Sequence, residues 1–438
     1  MKPAVLLLMH QGRSFTEEAA AAAAGLGRTL VALSSRPEHP GALDDSRRHV
    51  ADCLVTEEPE LRFGDVEKAV RELADRGYRV EAALATFEGY RLLMAELNER
   101  LGAHDSAEPA LRLCLDKYEL RRFLFAQGLS EVRARRLAPG VVPELDPSAR
   151  WFVKPVRGAS SFAAFLLDDV TALAELPAMQ QQMRADRRMK AIFMDRYDFL
   201  VEEYVEGPEF SFETLVLDGR AHHLCVHEKA RVERLERTTL EGMSVSPPAS
   251  IDRGLVLEGA RFVTDCLAAL GGHGLAAGAF HIEVKYWADR GRWEIIEINP
   301  RMGGSLIDAS VRTVTGHSLL DLWTESLLAA ADERDAFHER LTRISQLEAL
   351  RTGAPTRATV FLSKYGEKGR TVDTIRFDPP TRPPRILRLH VAEGARLDAS
   401  DRAICLMDAL WDVAADALDA ETAFLDRHAT EHFHVRYR

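Results

Sequence analysis

The chain has 438 residues, 46% hydrophobic and 29% charged, with a formal net charge of −11. That length and apolar content suit two or three domains with sizeable cores, and the negative balance argues against a broad electrostatic surface for nucleic acid. The five cysteines (Cys53, Cys114, Cys225, Cys266, Cys405) are scattered, odd in number and without CxxC spacing, which predicts buried thiols in a reducing, cytoplasmic compartment.

The apolar run Ala4–Met9 spans only six residues before His10 and Gln11, so it predicts a buried strand, not a signal peptide or a membrane span. Strands over Val5–Met9, Thr29–Ser34 and Val80–Ala85 alternate with helices over Thr16–Leu26, Gly64–Arg76 and Tyr90–Leu101. This βαβ series predicts a parallel sheet with helices on its faces. The Ala19–Ala24 run falls inside the first helix and gives it a small-residue packing face. The segment after the first strand, HQGRS, is not GxGxxG and carries no dinucleotide signature. Glu88 falls between a strand and a helix, where capping or exposure would account for it equally well.

A helix is predicted around Leu120, Phe123 and Leu124, stopped by Gly128, with Lys117 near its start. A strand from Trp151 ends at Lys154-Pro155, and the loop Gly158-Ala-Ser160-Ser161 leads to a second strand, Ala163–Leu167. A flexible loop beside a lysine suits phosphate, because backbone N–H groups and one ammonium can converge on it. Lys154 and Ser160 are the candidates there. Two strands then flank Gly207-Pro208, with a hairpin turn at Asp218-Gly219 and an acidic set at Glu202, Glu203, Glu206, Glu209 and Glu213. The segment from His227 to Ser250 is charged and aperiodic and ends at a proline pair, so it reads as a long irregular loop, functional or mobile.

Ala279–Gly304 reads AFHIEVKYWADRGRWEIIEINPRMGG, two alternating runs about a turn. Phe280, Ile282, Val284 and Tyr286 share one face and His281, Glu283 and Lys285 the other. In the second run Ile296 and Ile298 are expected in the core, opposite Glu297, Asn299 and Arg301. Centring the hairpin on Arg290 sets Glu283 across from Glu297. Facing carboxylates are destabilising unless a cation sits between them, and Mg²⁺ takes oxygen ligands from one or two carboxylates plus substrate phosphates. A solvated hairpin face is the plain alternative. Gly303-Gly304-Ser305 then opens a helical pattern (Leu306, Ile307, Val311, Val314), whose N-terminus suits an anion. Gly304 and Arg312 are candidates for holding such an anion, although Asp308 and Arg312 could instead pair i,i+4. The tail is punctuated by PPTRPP at Pro379–Pro384, then predicts strand and a helix from about Ser400, as N-cap, towards Leu425.

The hairpin and its -EINPRMGG- ending resemble the metal-binding end of the ATP-grasp superfamily, and the other segments follow in that family's order over roughly Leu111–Leu328. The resemblance implies a mixed α/β and α+β architecture. It would comprise a Rossmann-like parallel βαβ domain (1–110), a small ATP-grasp subdomain (111–198), a large subdomain with the Mg·ATP site (199–345) and a C-terminal lid domain (346–438). It implies ATP and Mg²⁺, with Mn²⁺ as a substitute. Glu283, Glu297 and Asn299 would hold the metal, and Arg301 would act on the transferring phosphoryl group. Lys117 and Lys154 would reach ATP phosphates, with Ser160 in the loop above them. Glu202 would take the adenine, Tyr204 and Val205 would offer backbone contacts, and Glu209 the ribose, with Glu203, Glu206 and Glu213 near enough to share these tasks. Glu88 and Lys229 would touch the acceptor substrate.

Among ATP-grasp enzymes the chain looks most like the L-amino-acid ligases. That implies a carboxylate–amine ligase working through an acyl phosphate and releasing ADP, with small-molecule substrates (an amino acid or small carboxylate plus an amine) and no nucleic-acid or membrane partner. Relatives of this kind are often homodimers. A biotin-carboxylase-like or purine-pathway enzyme is an alternative, as is a non-catalytic ATP-binding regulatory protein. Biotin carboxylases follow the motif arginine with His, Val and Glu residues, where this chain has MGGSLIDAS. A regulatory protein would have shed metal ligands, and all four motif positions are intact. Many amino-acid ligases carry a histidine where this chain has Met243.

Overall fold

The protein is described by a computed structural model covering residues 1–438 except 13, 139–142, 169, 235–237, 355, 379–381 and 400–402. The N-terminal sheet is parallel, in the order β3 (Cys53–Val55), β2 (Thr29–Ser34), β1 (Lys2–Met9), β4 (Tyr78–Leu84). The six elements expected over the first hundred residues are present within three residues of their bounds, and the three-residue edge strand β3 is additional. Ala19, Ala22 and Ala23 are buried, which lets helix Thr16–Gly25 pack closely on helix Leu319–Leu328.

A second, antiparallel sheet runs β5 (Ala134–Leu137), β8 (Phe199–Glu203), β6 (Trp151–Pro155), β7 (Phe165–Leu167). The third has eight strands. Its order is β13 (Arg292–Asn299), β12 (Gly278–Trp287), β9 (Glu209–Leu217), β10 (Arg220–Arg234), β11 (Thr239–Ser246), β14 (Arg357–Tyr365), β17 (Cys405–Ala414), β16 (Ile386–Leu389). β15 (Val372–Phe377) pairs with β18 (Phe433–Tyr437). Helices Glu108–Leu115, Lys117–Ala126 and Arg253–Leu270 cover one face of the large sheet, closing a core around Phe210, Phe280 and Trp293. Among the described residues no helix is long and apolar enough to cross a membrane.

Two expectations fail. The charged segment from His227 is not an irregular loop. It forms the end of β10 and all of β11, paired from Glu228↔Val245 to Arg234↔Thr239. Polar side chains fall on both of its faces: Thr239 and Glu241 line a cleft beside buried Lys229, whereas Glu233 is exposed, so no apolar alternation shows. In the tail, the stretch expected to be helical is strand β17, and the helix is Leu418–His432; Ser400 lies outside the described residues, as do 379–381 of the proline segment. Leu406 to Trp411 are all buried, and a strand covered on both faces gives a continuous run that periodicity cannot separate from a helix.

Candidate active site

The β12–β13 hairpin pairs Glu283 with Glu297, Ile282 with Ile298 and His281 with Asn299. Nearer the turn the register slips, with Val284 opposite Ile295 and Trp287 opposite Arg292. Ile296 is therefore an extra residue in β13. It faces the cleft half-buried, contrary to its expected place in the core, and Ile295 fills the core instead. Without this bulge, the register set by the Ala288–Arg290 turn would put Ile296 opposite Glu283. The bulge is what brings the two carboxylates together.

Cations meet both of them. Lys117 is the first residue of its helix, whose N-cap Asp116 accepts from the amides of Tyr118 and Glu119. From there its Nζ lies 2.9 Å from Glu297 Oε2 and donates to the Gly158 carbonyl at 2.9 Å. Asn299 Nδ2 donates to Glu297 Oε1 at 2.9 Å, leaving the amide oxygen for another partner. Burial alone would raise the Glu297 carboxyl, but Lys117 and Asn299 hold it well below the usual carboxylate range. Lys229 Nζ lies 2.6 Å from each of Glu209, Glu241 and Glu283. Glu209, which burial would push up, is brought down to about 2 by Lys229 and Lys285. His281 bridges Glu213 (2.7 Å) and Glu283 (3.2 Å).

On the facing sheet, Lys154 Nζ lies 2.6 Å from Glu202 Oε1 and donates to the Ile296 carbonyl at 3.1 Å. Glu202 also accepts from Arg121 Nε at 3.0 Å, and these two cations hold its carboxyl low against the opposing effect of burial. Glu203, one residue on, pairs with Arg133 and Arg290. β8 then gives way to a crossing to β9 through Gly207, which holds φ +139° with an added Cβ only 1.9 Å from the Tyr286 carbonyl oxygen. Only glycine fits there. Beside this crossing, Lys285 Nζ is 3.3 Å from the Tyr204 hydroxyl and 3.4 Å from the Val205 carbonyl.

At the other end, Arg301 Nη2 lies 3.2 Å from Glu88 Oε2. Arg91, fully buried, donates through Nε to the Pro300 carbonyl at 3.0 Å, so the helix following Glu88 fixes the residue preceding Arg301. Gly303 packs under Ile307 and His281, where an added Cβ would meet Ile307 Cγ2 at 2.4 Å.

One cavity of about 470 Å³ joins these parts. Glu88, Lys117, Lys154, Ser160, Glu202, Glu203, Tyr204, Val205, Glu209, Glu283, Glu297, Arg301 and Gly304 all line it, with apolar Phe15, Phe87, Met189 and Ile192 at the Glu88 end. Five anticipated residues do not, among them Glu206, which is exposed and paired with Arg150, and Glu213, which is fully buried against His281. Asn299 sits behind Glu297, as described. Lys229, expected against substrate, is 3% exposed and spent on three carboxylates. Arg312 is on the exposed face of helix Ile307–Thr315, paired with Asp321 at 2.9 Å, and Asp308 instead caps the next helix through Ser318, Leu319 and Leu320. A helix start orients only its first turn, and Arg312 is beyond it. Lys285, His281 and Arg121 were not anticipated. Alternation does place Lys285 and His281 beside Glu283, whereas nothing local marks Arg121. The oxygen-donor set of Glu283, Glu297 and Asn299, ringed by ammonium groups, fits a hard divalent cation carrying phosphates.

Residues 149–309 match the family model described as an ATP-grasp domain. Over 352 residues the chain is 28% identical to carnosine synthase 1 of Gallus gallus, covering 72% of this chain; it spans only 34% of that relative's length. Among solved structures, L-amino acid ligase from Bacillus licheniformis superposes with a TM-score of 0.75 at 20% identity, covering 100% of both chains. The biotin carboxylase domain of Hydrogenobacter thermophilus 2-oxoglutarate carboxylase, solved with MgADP and bicarbonate, gives 0.67 at 13% identity over 99% of this chain and 90% of that one. Residues 149–309 thus match an ATP-grasp domain, and the chain shares the fold of that L-amino acid ligase over its whole length.

Proposed function

We propose that the protein is an ATP-dependent, ADP-forming carboxylate–amine ligase that joins an amino acid or small carboxylate to an amine. The observation that carries this reading is one continuous cavity with a cation-ringed carboxylate pair at one end and Glu88, Arg301 and Gly304 at the other. Segments 111–198 and 199–345 would hold the nucleotide between them. Glu202, Tyr204 and Val205 would receive the adenine and Glu209 the ribose, with Lys117, Lys154 and the Ser160 loop on the phosphates. Glu283, Glu297 and Asn299 would hold Mg²⁺, or Mn²⁺ in its place, which would neutralise the β,γ-oxygens.

The substrate carboxylate attacks the γ-phosphorus, and the bond to the β,γ-bridging oxygen breaks, leaving ADP and an acyl phosphate. Arg301 stabilises the charge on the transferring group. An amine then attacks the acyl carbon, phosphate leaves, and the amine proton is lost. Glu88, 7% exposed and facing Arg301, supplies a carboxylate for an acceptor ammonium. The relatives named carnosine synthase and L-amino acid ligase support an amino-acid substrate. A homodimer would double the mass seen by light scattering.

The test is ADP and phosphate release from Mg·ATP across amino acids and other small carboxylates, singly and in pairs, with mass analysis of products and Glu297→Ala as control. Pair-dependent ADP release with a condensed product is expected. Dependence on bicarbonate and biotin would instead support the carboxylase reading that the second fold match suggests. ATP binding without turnover on any mixture would favour a regulatory protein.

A further inference from the structure

The acceptor end of the cavity is walled by the turn Arg301–Leu306, and that turn is held from the C-terminal part of the chain. Ser305 has φ +53°, a left-handed conformation that disfavours any non-glycine residue. Its hydroxyl donates to Asp408 Oδ2. Asp408 lies in β17 and is 1% exposed. The same oxygen accepts from His390 Nε2 at 2.7 Å, while Oδ1 accepts from Ser363 Oγ at 2.6 Å and Cys405 Sγ at 3.2 Å. His390, Cys405 and Asp408 are donor types found in transition-metal sites. Each Asp408 oxygen already takes two donors, however, so the cluster closes on itself. Burial would raise the Asp408 carboxyl, but His390, Ser305 and Ser363 hold it low, keeping a charged acceptor for the serine.

The opposite wall is held in a similar way. The Ala403 amide donates to the Ser160 carbonyl at 3.3 Å, and Ser160 has φ +56°. On both walls, then, the C-terminal part of the chain grips a non-glycine residue in the left-handed region.

We propose that Asp408 is a positioning residue for the acceptor end. By holding Ser305 left-handed it keeps the Gly303–Gly304 backbone and Arg301 on the cavity wall, where the substrate carboxylate is oriented. The kinetic part rests on the ligase reading; the hold on the turn does not. Ser305→Ala removes the hydroxyl and keeps the strained Cβ, whereas Ser305→Gly removes the strain as well. Loss of about 1 kcal/mol of restraint corresponds to about a fivefold change. Ser305→Ala and Asp408→Asn should therefore speed amide hydrogen exchange at 302–307 by about that factor and raise KM for the carboxylate similarly, with KM for ATP unchanged. Adding Ser305→Gly to Asp408→Asn should return both towards wild type, because glycine needs no holding. If Asp408→Asn does not fold, the Ser305→Ala and Ser305→Gly pair carries the comparison, with the alanine variant exchanging faster.

Wild-type exchange at 302–307 in Ser305→Ala would overturn the proposal. So would faster exchange throughout β14–β17 that glycine at 305 fails to rescue, which is what a merely structural role predicts. A wild-type enzyme without ligase turnover, but with the expected exchange pattern, would overturn the ligase reading and leave the hold on Ser305 standing.

Discussion

Against the opposing effect of burial, Lys117, Asn299 and Lys154 lower the Glu297 carboxyl. Its replacement by alanine removes a proposed metal ligand and leaves Lys117 without its carboxylate. ADP release by Glu297→Ala should fall by about 10² or more, with an unchanged far-UV circular dichroism spectrum. Lys154 presents a different case. Removing one partner of a buried pair ordinarily costs about 3–5 kcal/mol, but Glu202 keeps Arg121 at 3.0 Å when Lys154 is lost. Lys154→Met should therefore fold, melt a few degrees lower, and show at least about a tenfold rise in KM for ATP. An unchanged KM would remove Lys154 from the nucleotide site.

Single residues also set the shape of whole elements. Gly207 carries the chain between two sheets with its Cα against the Tyr286 carbonyl. Gly207→Ala forces that backbone apart, and a stability loss of about 2 kcal/mol or more is expected in urea titration. Helix Arg253–Leu270 docks on the large sheet through His223, whose Nδ1 and Nε2 meet Thr214 and Thr264, each at 2.8 Å. Burial drives the His223 pKa down to about 4. A folded-state pKa below the unfolded value of about 6.5 contributes stability that is complete above pH 6.5 and is lost as pH falls towards 4. His223→Gln should flatten that acid limb in melting temperature against pH.

Mg·ATP would bridge two sheets, since Lys154 and Glu202 belong to one and Glu209, Glu283 and Glu297 to the other. A ligand that binds only the folded form at 100 times its Kd stabilises by about 2.7 kcal/mol. The melting temperature should rise with Mg·ATP, rise less with ATP in chelator, and not respond to Mg·ATP in Glu297→Ala. Thermal-shift measurement checks all three.

The parallel N-terminal sheet and the Glu283/Glu297 face were legible because strand alternation and helix periodicity are local properties of residue order. The order of the site segments along the chain, and with it the fold, could likewise be read from linear motifs. Folding was needed for everything that depends on which strand lies beside which. Lys229 is drawn from substrate into a carboxylate cage by β9, β11 and β12; Arg312 is turned outward by its position past the first helical turn; Ile296 is expelled into the cleft by a bulge. Asp408 lies about a hundred positions from Ser305. No local pattern could relate them, because their contact arises only once β17 joins the sheet that carries the site.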